Sequence, residues 1–207
     1  METAVFLAAG AIAFGGGCLA RSRYERDCLV TEEYRIVSEK IHGPEKTIVF
    51  LTDLHNKEFG DQNCRLLDAV RKVKPDAVLS GGDGMVAKKG NSDVEIPRKL
   101  LTELAKEFPV YCGNGNHECR MVWKSDIYGA AYENYQAALE NAGIRYLSNG
   151  SADLDGEIRI YGLDLPKSAY LPRSGQIPEN LLKDALGEPD PGRFNLLLAH
   201  SPLFFEE

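Results

Sequence analysis

Thr47-Ile48-Val49-Phe50-Leu51-Thr52-Asp53-Leu54-His55 is the stretch from which the fold is read. Its first five residues are β-branched or apolar without a polar break, the pattern of a strand buried on both faces. The run stops where Asp53 and His55 begin. Three further runs end the same way. Asp76–Ser80 leads into Gly81-Gly82-Asp83, and Val110–Cys112 into Gly113-Asn114-Gly115-Asn116-His117-Glu118. Phe194–Ala199 leads into His200. Between the first three lie segments of helical spacing. Asn63–Lys74 carries Leu66, Leu67, Val70 and Val73 and is closed by Pro75; Ile96–Phe108 carries Leu100, Leu101, Leu104 and Phe108. A third helix is expected over Ala130–Ala142, stopped by Gly143.

After Gly143 the pattern changes to short strands at 145–147, 152–154 and 158–163, with Asp155-Gly156 as a hairpin signal. Alternation over Tyr34–Ser38 predicts a first, edge strand. Residues 167–175 read as a loop and Pro178–Leu186 as a short helix. A strand–helix–strand–helix–strand half followed by a run of antiparallel strands gives an α/β fold. The expectation is a mixed two-sheet sandwich flanked by helices, in the layer order α/β/β/α.

The polar residues collect where the buried strands end, the edge at which open α/β sheets bind ligands. Of four histidines, His55, His117 and His200 stand at such ends and only His42 stands elsewhere. Three imidazoles at strand exits, each near Asp, Asn or Glu, are hard to explain as core filling. Carboxylate, imidazole and amide oxygen without thiolate suit Mn, Fe or Zn. An aspartate flanked by glycines, as Asp83 is, can be approached by two ions about 3.5–4 Å apart.

The series Asp53-x-His55, Gly82-Asp83, Gly115-Asn116-His117-Glu118 and a later His200 resembles the calcineurin-like metallophosphoesterases over residues 45–207. With its apolar N-terminus the chain is most similar to the small membrane-anchored bacterial phosphodiesterases of that family. The resemblance implies two divalent ions, with Asp53 and His55 on the first, Asn116 and His200 on the second, and Asp83 bridging. His117 would face the scissile phosphate, stabilising charge or protonating the leaving group. Glu118 would orient a neighbouring histidine. It implies hydrolysis of phosphoesters, with a diester favoured, on a phosphorylated small molecule or a lipid-linked phosphate. It also implies a later Gly-His-x-His motif, yet no histidine follows His200. The expectation is a domain incomplete at the C-terminus, and the alternative to an enzyme is a truncated or degenerate, non-catalytic anchored module.

Formal net charge is −7, against the basic excess a nucleic-acid backbone binder needs, so no nucleic-acid partner is expected. Five cysteines, an odd number without CxxC spacing, argue against a disulfide framework and a structural zinc site. Thr3 to Ala20 is uncharged and just long enough for a membrane span, though Gly10, Gly15, Gly16 and Gly17 weaken it. Signal anchor, cleaved signal peptide and lipoprotein signal ending at Cys18 all compete, with the anchor over 1–20 preferred. A linker and edge strand over 21–44 and the catalytic domain over 45–207 follow. Arg21, Arg23 and Arg26 then favour a cytoplasmic domain. Arg120, Trp123, Lys124, Tyr170 and Arg173 could reach a substrate, but loop and packing roles account for them equally well. Cys119 reads as a packing residue rather than a nucleophile.

Overall fold

The computed structural model describes residues 2–170 and 177–201, with side chains from residue 14 onward. The chain divides into two compact units, Met1–Tyr34 and Arg35–Glu207. The first contains one helix, α1, over Glu2–Asp27. Among the described residues no helix is long and apolar enough to cross a membrane. The expected membrane span over 1–20 therefore has no support here; its glycines dilute an apolar run that is short to begin with.

The second unit holds two sheets. β1 (Ile48–Leu51), β2 (Ala77–Ser80), β3 (Val110–Cys112) and β4 (Arg145–Tyr146) form a parallel sheet in sequence order. β5 (Gly150–Asp153), β6 (Ile158–Leu163) and β7 (Phe194–Ala199) form the other, with β5 antiparallel and β7 parallel to β6. Ala77, Leu79 and Tyr111 of the first sheet pack with Ile158, Ile160 and Leu198 of the second in one buried cluster. Helices α2 (Cys64–Val73), α3 (Glu95–Ala105) and α6 (Ala131–Asn141) bury the apolar faces expected of them, with Leu66, Leu67 and Val70 on α2, Leu100, Leu101 and Leu104 on α3, and Leu139 on α6. Gly143 takes φ +84° two residues past α6, a left-handed conformation that glycine adopts without steric cost. The mixed α/β sandwich is as the sequence implied.

Register brings the strand exits together. Leu51 pairs with Ser80, and Ser80 with Cys112, so the segments beginning at Thr52, Gly81 and Gly113 leave side by side. Leu163 pairs with Ala199, which sets Asp164 and His200 at one end of the second sheet.

Several elements differ from the sequence reading. Tyr34–Ser38 forms no strand and is largely exposed; its apolar residues Ile36 and Val37 stand 72% and 88% accessible. Ile48–Leu51 is an edge strand rather than a doubly buried one, leaving Phe50 57% exposed. β4 continues the parallel first sheet instead of opening the second, because α6 carries the chain back across β3 as a parallel crossover. Arg120 and Trp123, for which the sequence allows a loop role, lie on helix α4 (Asn116–Trp123), followed by the short α5 (Ser125–Tyr128). Residues 167–170 form a 3-10 turn, and α7 (Leu181–Leu186) is shorter than expected. Arg173 and the apolar tail after Pro202 lie outside the described residues.

Ile160 is fully buried where the two sheets meet. Ile160→Ala is expected to lower stability by about 2–5 kcal/mol, through lost burial and the cavity left behind. Urea unfolding measures it, and a cost under about 1 kcal/mol would contradict the shared inter-sheet core.

Candidate metal centre

The site begins as an extension of the β1–β2 pairing. Beyond the strands, Asp53 N–H donates to Gly82 O (3.1 Å), His55 N–H to Asp83 O (3.0 Å) and Asn56 N–H to Gly84 O (2.9 Å). These bonds hold an unusual backbone. Asp53 (φ 56°), His55 (φ 49°), Asn56 (φ 60°) and Asp83 (φ 52°) all lie in the left-handed region. Such residues cost on the order of 1–3 kcal/mol each and persist where surrounding bonds over-determine them. The result brings the Asp53 and His55 side chains up to Asp83. Gly82, at φ 90°, has its missing Cβ only 2.0 Å from Gly115 N, so the Asp83 loop and the Asn116 loop touch backbone to backbone.

Asp83 is the centre of the cluster and is buried. Its Oδ1 accepts the backbone N–H of His117 at 2.8 Å. Its Oδ2 lies 3.2 Å from His55 Nε2 and 3.3 Å from His200 Nε2. The Asn116 amide also faces Oδ2 at 3.1 Å. With the amide nitrogen turned inward, Asn116 donates to Asp83 and its oxygen accepts from His117 N–H; with the oxygen turned inward, two acceptors meet. A cation between them is what makes the second arrangement favourable, so the donor chemistry fits a divalent ion. Asp53, at the rim, accepts a bond from Thr52 Oγ1 at 2.7 Å.

Two groups have ligand atoms all within 4.8 Å of one another: Asp53, Asp83 and His200, and His55, Asp83 and His117. All six residues expected from the sequence therefore converge. The proximity groups Asp53 with His200, whereas the family pattern groups it with His55; Asp83 is common to either division.

The imidazoles are not equivalent. His200 Nδ1 lies 3.0 Å from the Gly81 carbonyl, which can only accept, so Nδ1 carries the proton and Nε2 turns toward Asp83. His117 is reversed. Its Nδ1 lies 3.0 Å from the Ala87 N–H and 3.3 Å from the Ala87 carbonyl, and Arg120 Nη1 donates to that carbonyl at 2.9 Å. The shorter contact, with the carbonyl already bonded to Arg120, favours Nδ1 as acceptor and the proton on Nε2, which then presents a donor to the cluster. Burial lowers the His117 pKa, with Asp83 opposing, so the neutral ring is favoured. Proximity alone counts His117 among possible ligands; its hydrogen bonding argues for the non-ligand role.

Glu118 does something the sequence did not reveal. It is buried in the first turn of α4, and its carboxylate accepts Asp83 N–H (2.9 Å), Gly115 N–H (3.0 Å) and Gly84 N–H (3.1 Å). It thus orients two ligand loops rather than a histidine ring. Burial and the Asp83 charge push its pKa up to about 7 against those three bonds. Asn114 and Asp164 were also missed. Asn114 Nδ2 donates to Asp164 Oδ1 at 2.9 Å, and a lone Asp between apolar residues gave no signal of this. Arg120 holds the Ala87 carbonyl, the role just described. The Trp123 and Tyr170 rings lie 5.9 Å apart, tilted by 46°, and Tyr170 lies 6.3 Å from the His200 ring. Burial raises the Cys119 thiol pKa strongly, in keeping with a packing residue.

A helix-flanked two-sheet α/β domain with carboxylate, imidazole and amide groups converging at its strand ends is the arrangement of a metal-dependent hydrolase. The calcineurin-like phosphoesterase family model matches residues 46–207, and the chain belongs to that family. No curated protein matches the chain. The family uses divalent metals to hydrolyse phosphoesters.

Burial alone would lower the His200 pKa, but the bond to Asp83 and its charge outweigh this and raise it to about 9. A raised pKa means that His200 stabilises the metal-free protein below its unfolded value of about 6.5. That contribution is lost as pH climbs through about 9. Chelator-treated protein should therefore unfold at lower temperature as pH rises from about 6.5 to 9.5, and Asp83→Asn should flatten the slope. A slope unchanged by Asp83→Asn would refute the pairing.

Proposed function

We propose that this chain hydrolyses phosphodiesters at a centre of two divalent ions, Mn, Fe or Zn, bridged by Asp83. The observation that carries the reading is the surround of Asp83 Oδ2, with His55 Nε2, His200 Nε2 and the Asn116 amide at 3.1–3.3 Å. Asp53 and His55 would hold one ion, and Asn116 and His200 the other. Bound divalent ions supply Lewis-acid polarisation of the phosphoryl oxygens and activation of water at neutral pH.

The chain's own residues do the rest. Asp83 gives its charge to both positions, and its backbone is locked by Glu118. The His55 and His200 Nε2 atoms, both facing Asp83, would be the imidazole ligands of bound ions. His117 points Nε2–H at a non-bridging phosphoryl oxygen, where negative charge grows as water adds and the ester P–O bond breaks. Ala87 N–H and Arg120 fix that ring in the donor form. The acidic balance of the chain disfavours a nucleic-acid backbone, so the substrate is a phosphorylated small molecule or a lipid-linked phosphate.

Titration of chelator-treated protein with Mn should saturate near two ions per chain, and Asp83→Asn should weaken both. Saturation at zero ions would end the reading. His117→Ala should lower kcat on a nitrophenyl phosphodiester by about 10²–10⁴-fold while metal content stays unchanged. Loss of bound metal in that variant would make His117 a ligand instead.

A further inference from the structure

Behind the metal loops lies a buried polar network that the proposed chemistry does not use. Asn114 is its hub and is 4% exposed. Its Nδ2 donates to Asp164 Oδ1 (2.9 Å) and to the Tyr132 phenol oxygen (3.0 Å). Its Oδ1 accepts from Tyr146 O–H at 2.5 Å. Asp164 is secured in turn: Ser148 Oγ donates to its Oδ2, and its backbone N–H donates to Asn149 Oδ1 at 2.9 Å. Tyr146 keeps its proton, since burial raises its pKa well above 10.

The partners come from different layers. Asn114 leaves β3 of the first sheet, and Asp164 leaves β6 of the second. Tyr132 lies on α6 and Tyr146 on β4. Asn114 is also flanked by Gly113 and Gly115, so its own backbone offers little restraint. Gly115 must stay bare, because a Cβ there would stand 2.3 Å from Asp83 Oδ1. The turn that delivers Asn116 is therefore gripped on one side by Glu118, through Gly115 N–H, and on the other by the Asn114 side chain. The Asn116 amide has two orientations open to it, and only one presents oxygen to a cation.

We propose that Asn114, clamped by Asp164, Tyr132 and Tyr146, is a positioning residue that sets the affinity of the ion held by Asn116. The inference rests on the two-metal reading above. It acts through backbone placement, so it favours one ion over the other. A network that merely stabilises the domain affects both ions alike or neither.

The test is Mn binding by calorimetry on the full chain, for wild type, Asn114→Leu and Tyr146→Phe, with thermal unfolding alongside. Tyr146→Phe removes one hydrogen bond while keeping the ring, and serves where Asn114→Leu fails to fold. The weaker-bound variants should lose about 10–100-fold in one of the two affinities, the range for residues that orient ligands, and keep the other. In an Asn116→Ala background the same substitutions should cost nothing further, because the residue through which they act is gone. Asp164→Asn retains a carbonyl acceptor for Asn114 and should bind Mn nearly as wild type, whereas Asp164→Ala should behave as Tyr146→Phe. Equal loss of both affinities, a fall in unfolding temperature with both affinities intact, or additive losses with Asn116→Ala would each overturn the proposal. Wild-type protein that binds no Mn would overturn the two-metal reading itself, an outcome separable from all of these.

Discussion

The structure turns on one buried carboxylate. Asp83 is withdrawn from water at a backbone angle that a non-glycine residue adopts only under compulsion. An ion taken into a protein interior costs several kcal/mol after relaxation unless partners compensate it. Asp83 has a backbone N–H on one oxygen and an imidazole-lined space on the other. Burial alone would raise its pKa, yet His200 and the His117 N–H outweigh it and keep the group acidic. The carboxylate therefore stays charged and directs that charge at a cluster of ligand atoms.

What compels Asp83 is a second buried carboxylate. Glu118 receives three backbone N–H groups from two loops and has none of its bonding capacity turned to the cluster. Those N–H groups lie just outside regular strands, where an unsatisfied donor would cost about 1–3 kcal/mol. One side chain settles all three and in doing so fixes where Asp83 and Gly115 sit. Burial, and then the negative charge of Asp83 beside it, make Glu118 hold its proton more tightly than a free carboxyl. Asp53 adds a third carboxylate at the rim. Acidic groups accumulated this closely favour a divalent cation over any anionic occupant, and supply locally the sign that an acidic chain presents everywhere.

The sequence was legible where physics is local. Apolar runs announced β1, β2, β3 and β7, and the polar residues that follow those four runs announced the site. Asp53, His55, Asp83, Asn116, His117 and His200 do converge, because in-register parallel strands must discharge their loops along one edge. Non-local facts were not legible. Nothing in Arg145–Tyr146 says which sheet it joins, since a two-residue strand has no readable period. The alternation of Tyr34–Ser38 is strand-like, but no neighbour pairs with it among the described residues, and a strand without a partner is not stable. Glu118 and Asn114 were quoted within a motif, yet Glu118 binds the Asp83 and Gly84 backbone 35 and 34 residues away and Asn114 binds Asp164 50 residues away, where side-chain patterns carry no record. The membrane expectation failed to find support for a similar reason: an uncharged run is not the same as an apolar one when glycines punctuate it.

His117 and His200 show why proximity is a poor guide to role. His117 and His200 are both partly buried beside the same carboxylate, and a distance criterion admits both as metal ligands. The deciding atom is the one pointing away. A carbonyl behind His200 forces the proton onto Nδ1 and frees Nε2 for a cation. An amide N–H at 3.0 Å behind His117, closer than the carbonyl at 3.3 Å, favours the proton at the front. Because Arg120 occupies the Ala87 carbonyl, the reverse arrangement at His117 would have to compete with a guanidinium for its acceptor. One imidazole is thus built to receive a positive ion and the other to donate a hydrogen bond to something negative. A phosphoester bound to divalent ions is a ligand that brings both kinds of charge to the same few ångströms.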